Sequence, residues 1–303
     1  MTTATPIEAG EVARRPGRSA TGARLAVTAD QWWPALPLLV VIAALLLAPA
    51  ILLIGQSLST ADGLGLGNWE RIFSVAANRN AVVTTLALAA ASATLTTLIG
   101  GPLAWLIHGM LPASRAGWMA LLNVSANFGG IGLAFSFFAT IGTQGMITRA
   151  LQATGMDFDP PRGASFLGLL LAYEYTNIPL FVLLTLPAMG ALRPEWFEAA
   201  VVASASRLQF WRRVGIPVLG PFLLGGWLLI FTWSIGIYSL AFGLAGNVAA
   251  SSINIVTLQI GNILQTDVFG RGRAAALAVV LMVIATLSLL AYRVILRRAM
   301  RWL

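Results

Sequence analysis

The sequence predicts an all-α, polytopic membrane protein with six transmembrane helices. Three observations carry that expectation. First, 58% of the 303 residues are hydrophobic and 10% are charged, with a mean hydropathy of +0.82, so lipid suits most of the chain better than water. Second, a bilayer core about 30 Å thick takes about 20 apolar residues at about 1.5 Å rise each, and six stretches meet that length. Third, the arginines behind the formal net charge of +8 cluster on alternate loops rather than on one soluble face. That distribution points to a membrane surface and argues against a nucleic-acid partner.

In chain order, residues 1–30 are polar, rich in Ala, Thr, Gly and Arg, and too poor in large apolar groups to offset their ordering entropy. They are expected to form a disordered cytoplasmic tail, with 31–303 as one transmembrane domain. The first span is 34–58; it exceeds the apolar core of a signal peptide and starts well into the chain, so it is expected to stay as an anchor. The second, 81–109, ends near His108, which reads as an interfacial side chain. The third, 118–142, carries Asn123, Ser125, Asn127, Gly129, Gly130, Gly132, Ser136 and Thr140. Such small and polar groups allow close helix approach and interhelical hydrogen bonds.

The fourth span, 166–190, contains Glu174 beside Tyr173, Tyr175 and Asn177. An ionised carboxylate in mid-span costs about 3 kcal/mol on insertion scales, so Glu174 is expected to face protein or water. Two roles stay open to it: stabilising a cationic solute in transit, or locking helix packing through hydrogen bonds. The fifth span, 219–243, follows Pro217 and contains Pro221, which favours a kink or break where the chain meets the membrane. Gly270, Arg271, Gly272 and Arg273 then read as an interfacial turn, since no preceding strand supports a nucleotide-binding fingerprint. The sixth span is 274–296.

This arrangement puts Arg14, Arg15, Arg18, Arg24, Arg115, Arg193, Arg207, Arg212, Arg213, Arg293, Arg297, Arg298 and Arg301 on one side. On the other side, Arg71, Arg79, Arg149, Arg162, Arg271 and Arg273 are diluted by Asp62, Glu70, Asp157, Asp159 and Asp267. The excess of arginine predicts that both termini are cytoplasmic.

Several chemistries are excluded by composition. Cysteine is absent, which removes disulfides, thiolate metal sites and cysteine nucleophiles. Lysine is absent as well, and a Walker A loop needs its lysine on the nucleotide phosphates. The single histidine rules out a histidine cluster, and no catalytic constellation converges, so the chain is not expected to be an enzyme.

The loop at about 192–217 is the most informative segment. Pro194 suits a first helical turn, and Glu195 and Glu198 suit its positive dipole end. Ala199, Ala200, Ala203 and Ser204 give that helix a small-residue surface on which another protein's groove can close. Phe210 and Trp211 follow as apolar anchors beside Arg212 and Arg213, side chains suited to a membrane interface.

These residues resemble the EAA loop of permease subunits in bacterial ABC importers. Glu198, Ala199 and Ala200 match its opening, Ala205 its later alanine, Trp211 its aromatic, Val214 its aliphatic, and Ile216 with Pro217 its close. Ala203 replaces a common aspartate and Ser204 the usual glycine, so the turn between the two helices is expected to be less sharp. The segment 68–73 resembles the family's outer segment before the second span, and the run from Tyr175 to Pro179, followed by Leu186 and Pro187, and the segments 234–239 and 267–270 are similar to the polyamine-type (spermidine/putrescine) group of these permeases.

The resemblance implies a type I ABC importer permease-like fold and a multi-pass protein of the bacterial inner membrane. It implies partners: ABC ATPase subunits, a second permease that is identical or homologous, an extracytoplasmic solute-binding protein and membrane lipid. The chain itself is expected to hold no cofactor, with ATP and Mg bound by the ATPase. Glu198, Ala199, Ala200, Ala203, Ser204, Arg207, Trp211 and Pro217 are the expected coupling residues. Asn127, Glu174, Tyr175, Asn177, Ser234 and Tyr238 are candidates for the solute pathway. The same resemblance makes a polyamine-like cation the first choice of substrate, while sulfate, molybdate, thiamine, iron and aminophosphonate systems share much of the same permease pattern. The competing class is an ion-coupled secondary transporter or channel that uses Glu174.

Overall fold

The computed structural model describes residues 33–60, 63–157, 159–160, 162–245 and 253–299. The expected tail 1–30, with Arg14, Arg15, Arg18 and Arg24, lies outside the described residues, as do Asp62 and Arg301. Two compact units are distinguished, 1–50 and 51–303. The described part of the first is the start of helix α1 (Leu36–Leu58), an almost wholly aliphatic run with Pro49 inside it.

In the second unit the chain leaves α1 through a two-stranded hairpin, β1 (Ser59–Thr60) and β2 (Gly63–Leu64), paired antiparallel. Helices α2 (Gly67–Ser74), α3 (Ala76–His108), α4 (Pro112–Asn127), α5 (Gly130–Ile141), α6 (Met146–Ala153) and α7 (Phe166–Met189) follow. The loop then holds α8 (Pro194–Val202) and the single turn α9 (Arg207–Phe210). Next come α10 (Ile216–Ile235), α11 (Ser239–Ala245), α12 (Val256–Thr266) and α13 (Arg271–Ala299). Six helical stretches are long and apolar enough to cross a membrane: Leu36–Leu58, Ala76–His108, Gly130–Ala153, Phe166–Met189, Arg207–Ile235 and Arg271–Arg297.

Helices α3, α7 and α10 pack against one another, and α13 lies on α10. Phe181 of α7, fully buried, is the wedge at their junction. A Cβ on Gly100 of α3 would approach its ring to 2.7 Å, and one on Gly226 of α10 likewise to 2.7 Å. Glycine at these two points is what lets three backbones converge on one aromatic ring. Helix α4 packs on α7, and α5 packs on α11.

The expected third and fifth spans are corrected by the structure. Residues 118–142 do not form one helix: the chain breaks at Phe128–Gly129 and restarts at Gly130, whose φ of 70° lies in the left-handed region that glycine takes without strain. The apolar stretch long enough to cross a membrane shifts toward the C-terminus, to Gly130–Ala153, and α4, at 16 residues, is shorter than a span. Asn123, Asn127, Ser136 and Thr140 each donate to a carbonyl four residues earlier in their own segment. The fifth span, expected to reach 243, stops at Ile235; Gly236 to Tyr238 form a second break before α11. At its start, Pro217 falls in the first turn of α10 and does not break the helical path, which instead carries a π-helical irregularity directly before it. A π-helical turn, Trp211–Gly215, joins α9 to α10 without interruption.

Helix α12 lies inside a stretch expected to be loop. Val256, Leu258 and Ile263 are buried against neighbours that include α3 and α13. Its first turn is tied by polar contacts: the Val256 amide donates to Thr85 Oγ1 at 2.9 Å, and Gln259 Nε2 to Asn78 Oδ1 at 3.1 Å.

Candidate functional site

Two places bring the sequence-predicted residues together. The first is the loop around α8. Pro194 occupies the first turn of α8 and Glu195 lies beside its free N–H groups, as the dipole favours. The helix ends in a Schellman motif. The Ala205 amide donates to the Ala200 carbonyl at 2.9 Å and the Ser204 amide to Val201 at 2.9 Å. Ser204 takes the left-handed position itself, with φ of 56°. The expectation of a less sharp turn is therefore not met: serine makes the turn that glycine makes, and the difference is paid in strain rather than in shape.

Ser206 then starts α9 with a reciprocal capping box. Its Oγ accepts from the Gln209 amide at 3.2 Å, and Gln209 Oε1 accepts from the Ser206 amide at 2.8 Å. Beneath this helix–turn–helix, Phe210 is buried edge-on to Phe197, with centroids 5.2 Å apart, and Trp211 meets Trp105 of α3 at 5.0 Å. Phe210 belongs to a cluster with Ile107, Val182, Leu186 and Met189, so the loop is clamped onto the ends of α3 and α7. Its outer side is exposed. Glu198, Ala199, Ala203, Ser204, Arg207 and Pro217 are exposed; Ala200 and Trp211 are half-buried. Val202 at 87% and Leu208 at 77% relative exposure are apolar side chains on a rigid knob.

The second place is the junction of α3, α7 and α10. Glu174 is 6% exposed, and both carboxylate oxygens are occupied: Ser92 Oγ donates to Oε1 and Thr96 Oγ1 to Oε2, each at 2.7 Å. Asn177, one turn on, donates to Ser92 Oγ at 2.9 Å and to Ser234 Oγ at 3.0 Å; its Oδ1 is buried with no partner. One polar cluster thus joins three helices. Tyr175 is not part of it: it points to the other side of α7, edge-on to Phe128 at 6.2 Å.

Beside this cluster lies a cavity of about 870 Å³ between the two helix breaks. Asn127, Gly129 and Gly130 line it from the first break, Gly236, Tyr238 and Ser239 from the second, and Thr176, Thr232 and Trp233 from the helices between. Of the candidate pathway residues, Asn127 and Tyr238 line this cavity; Glu174, Asn177 and Ser234 form the buried cluster. Thr176 and Trp233 were missed by sequence reasoning, which took 118–142 and 219–243 as unbroken spans. No group of three or more His, Asp or Glu side chains that could hold a metal occurs among the described residues.

No family model matches the chain. Its sequence is similar to the sulfate transport system permease protein CysT of Salmonella typhimurium, 39% identical over 92 residues, which is 30% of this chain and 33% of that protein. The chain thus spans about a third of the length of the sulfate permeases it matches. It is 28% identical over 231 residues to the molybdenum transport system permease protein ModB of Mycobacterium bovis, covering 74% of this chain and 83% of that one. It is 24% identical over 256 residues to the spermidine/putrescine transport system permease protein PotC of Haemophilus influenzae, covering 82% and 91%. Among solved structures, a chain of a bacterial alginate ABC transporter in complex with alginate pentasaccharide-bound periplasmic protein superposes with a TM-score of 0.67 at 16% identity, over 89% of this chain and 96% of that one. In its fold, the chain is an all-α, multi-pass membrane protein of the ABC importer permease type.

Proposed function

We propose that the chain is the transmembrane permease subunit of an ATP-driven ABC importer in a bacterial inner membrane. It forms half of a solute pathway with a second permease, identical or homologous, and is not itself an enzyme. An ATPase subunit holds ATP and Mg and grips α8; an extracytoplasmic binding protein delivers the solute. The observation that carries this reading is the α8–α9 knob: rigidly capped, anchored by Phe210 and Trp211, and bare on its outer side. A partner that moves such a knob moves α3 and α7 with it, which couples a distant ATP site to the two helix breaks.

The reading is tested by solute uptake into vesicles containing the permease pair with and without its ATPase. ATP-dependent uptake is expected, and uptake undiminished without the ATPase overturns it. That second result belongs to an ion-coupled transporter using Glu174, a reading that the double occupation of the Glu174 carboxylate by Ser92 and Thr96 weighs against.

For the solute, the resemblance to polyamine permeases and the likeness to PotC support a polyamine-like cation. An oxyanion is the second reading, supported by the likenesses to CysT and ModB. The observation favouring it is that no carboxylate is among the described residues lining the cavity, whereas a polyammonium ion calls for one. Competition of labelled-solute uptake by spermidine or by sulfate and molybdate separates the two.

A further inference from the structure

A second cavity, of about 760 Å³, lies at the far ends of α1 and α13 from the coupling loop's side of the chain. Its walls include Ser59 and Thr60 of the hairpin, Asn68 and Arg71 of α2, and Phe269 and Arg271 at the start of α13. No carboxylate is among the described residues lining it. Asp267, close by in sequence, is already paired with Arg273. The guanidinium groups of Arg71 and Arg271, by contrast, have neither a hydrogen bond nor an ion pair among the described residues. Two guanidinium groups from separate elements therefore line one cavity without a neutralising partner among the described residues.

The surrounding backbone has the same polarity. The first helical bond of α13 runs from the Ala274 amide to the Gly270 carbonyl at 2.9 Å, so the amides before Ala274 point out of the helix end without an intrahelical acceptor. Gly272 brings that end close: a Cβ there would collide with the Asn68 carboxamide. Asn68 in turn donates to the Ser57 carbonyl at 3.1 Å and to Ser59 at 2.8 Å, which fixes α2 against the end of α1. The arginines are thus mounted on elements held together by buried polar contacts.

We propose that this cavity binds a tetrahedral oxyanion of the phosphate type, gripped by Arg71 and Arg271 with the start of α13. Guanidinium matches such an anion in geometry as well as charge. The chemistry has two sources. Leu58 and Arg271 are the ends of two membrane-spanning stretches, which sets the cavity at the depth of lipid phosphates, and Phe269, 92% exposed, lies at its rim as an apolar contact. A free oxyanion reaching the membrane surface offers the same group.

The test uses the purified full chain, delipidated and then given phosphatidylglycerol or phosphatidylcholine, with retained lipid counted by native mass spectrometry; inorganic phosphate and sulfate are titrated calorimetrically in parallel. The expected result is preferential retention of phosphatidylglycerol, reduced about tenfold in the double variant Arg71→Gln, Arg271→Gln and less in Arg71→Lys, Arg271→Lys. Arg149→Gln, away from the cavity, is expected to behave as the parent. A free-anion source instead gives phosphate or sulfate binding that the double glutamine variant loses and that displaces the lipid. The proposal is overturned if the parent neither prefers the anionic lipid nor binds the free anions, or if the double glutamine variant matches it in both measurements. Both arginines are exposed, so the variants leave the helix packing intact.

Discussion

Ser204 is the one non-glycine residue at positive φ among the described residues, and it closes α8 where a glycine would do so without strain. A left-handed conformation costs an L-residue roughly 1–2 kcal/mol, part of which glycine returns through its greater freedom in the unfolded chain. Ser204→Gly is therefore expected to stabilise the protein by about 1 kcal/mol, raising the melting temperature in detergent by about 2–4 °C. Ser204→Val should lower it. Glu174 permits a different separation. Gln keeps an acceptor for Ser92 or Thr96, while Leu leaves both hydroxyls to find other partners, a loss of about 1–3 kcal/mol. If the carboxylate holds helices together, Glu174→Gln leaves the KM of uptake unchanged and Glu174→Leu lowers the melting temperature. A changed KM with unchanged melting in Glu174→Gln assigns it to the pathway instead.

Among the elements, the convergence of α3, α7 and α10 on Phe181 is the point most sensitive to volume. Phe181→Ala is expected to cost about 3–5 kcal/mol through the cavity it opens, whereas Gly226→Val acts from the other side by forcing the ring out, at about 1–3 kcal/mol. Thermal unfolding in detergent checks both, and a melting temperature unchanged in either contradicts the three-helix junction. The loop knob predicts the opposite pattern. Leu208→Asp or Val202→Glu changes only exposed surface, so melting should stay within about 0.5 kcal/mol of the parent while ATP-driven uptake falls at least tenfold. These differences also explain what could be read from the sequence. The fourth span was legible almost to the residue, 166–190 against Phe166–Met189, because its apolar run is bounded on both sides by turn residues. The breaks at Phe128–Gly129 and Gly236–Tyr238 were not legible, since hydropathy summed over about 20 residues cannot register an interruption of two or three. Helix α12 escaped for a related reason: it is half polar, and it is held by Thr85 and Asn78, partners more than a hundred residues away in the chain.

Across the whole molecule, the proposed mechanism needs the α8–α9 knob to lie on the cytoplasmic membrane surface. Charge placement argues for this. By the alternation of spans, Arg115, Arg193, Arg207, Arg212, Arg213, Arg293 and Arg297 are expected on the knob's side, with Glu195 and Glu198. Each arginine kept on the cytoplasmic side avoids translocation, so the sum over several loops sets the orientation of a chain whose spans are otherwise symmetric in their affinity for lipid. The native sequence has no cysteine, so single-cysteine variants report without a background. Ala203→Cys and Val268→Cys are both at exposed positions, and neither side chain is part of a buried contact. In intact cells a membrane-impermeant maleimide is expected to label Val268→Cys and spare Ala203→Cys; in inverted vesicles the pattern should reverse. Labelling of Ala203→Cys from outside would put the knob beyond the reach of any cytoplasmic ATPase. The coupling role of α8 would then fall, while the oxyanion cavity, which rests on its own residues, would stand on the other face.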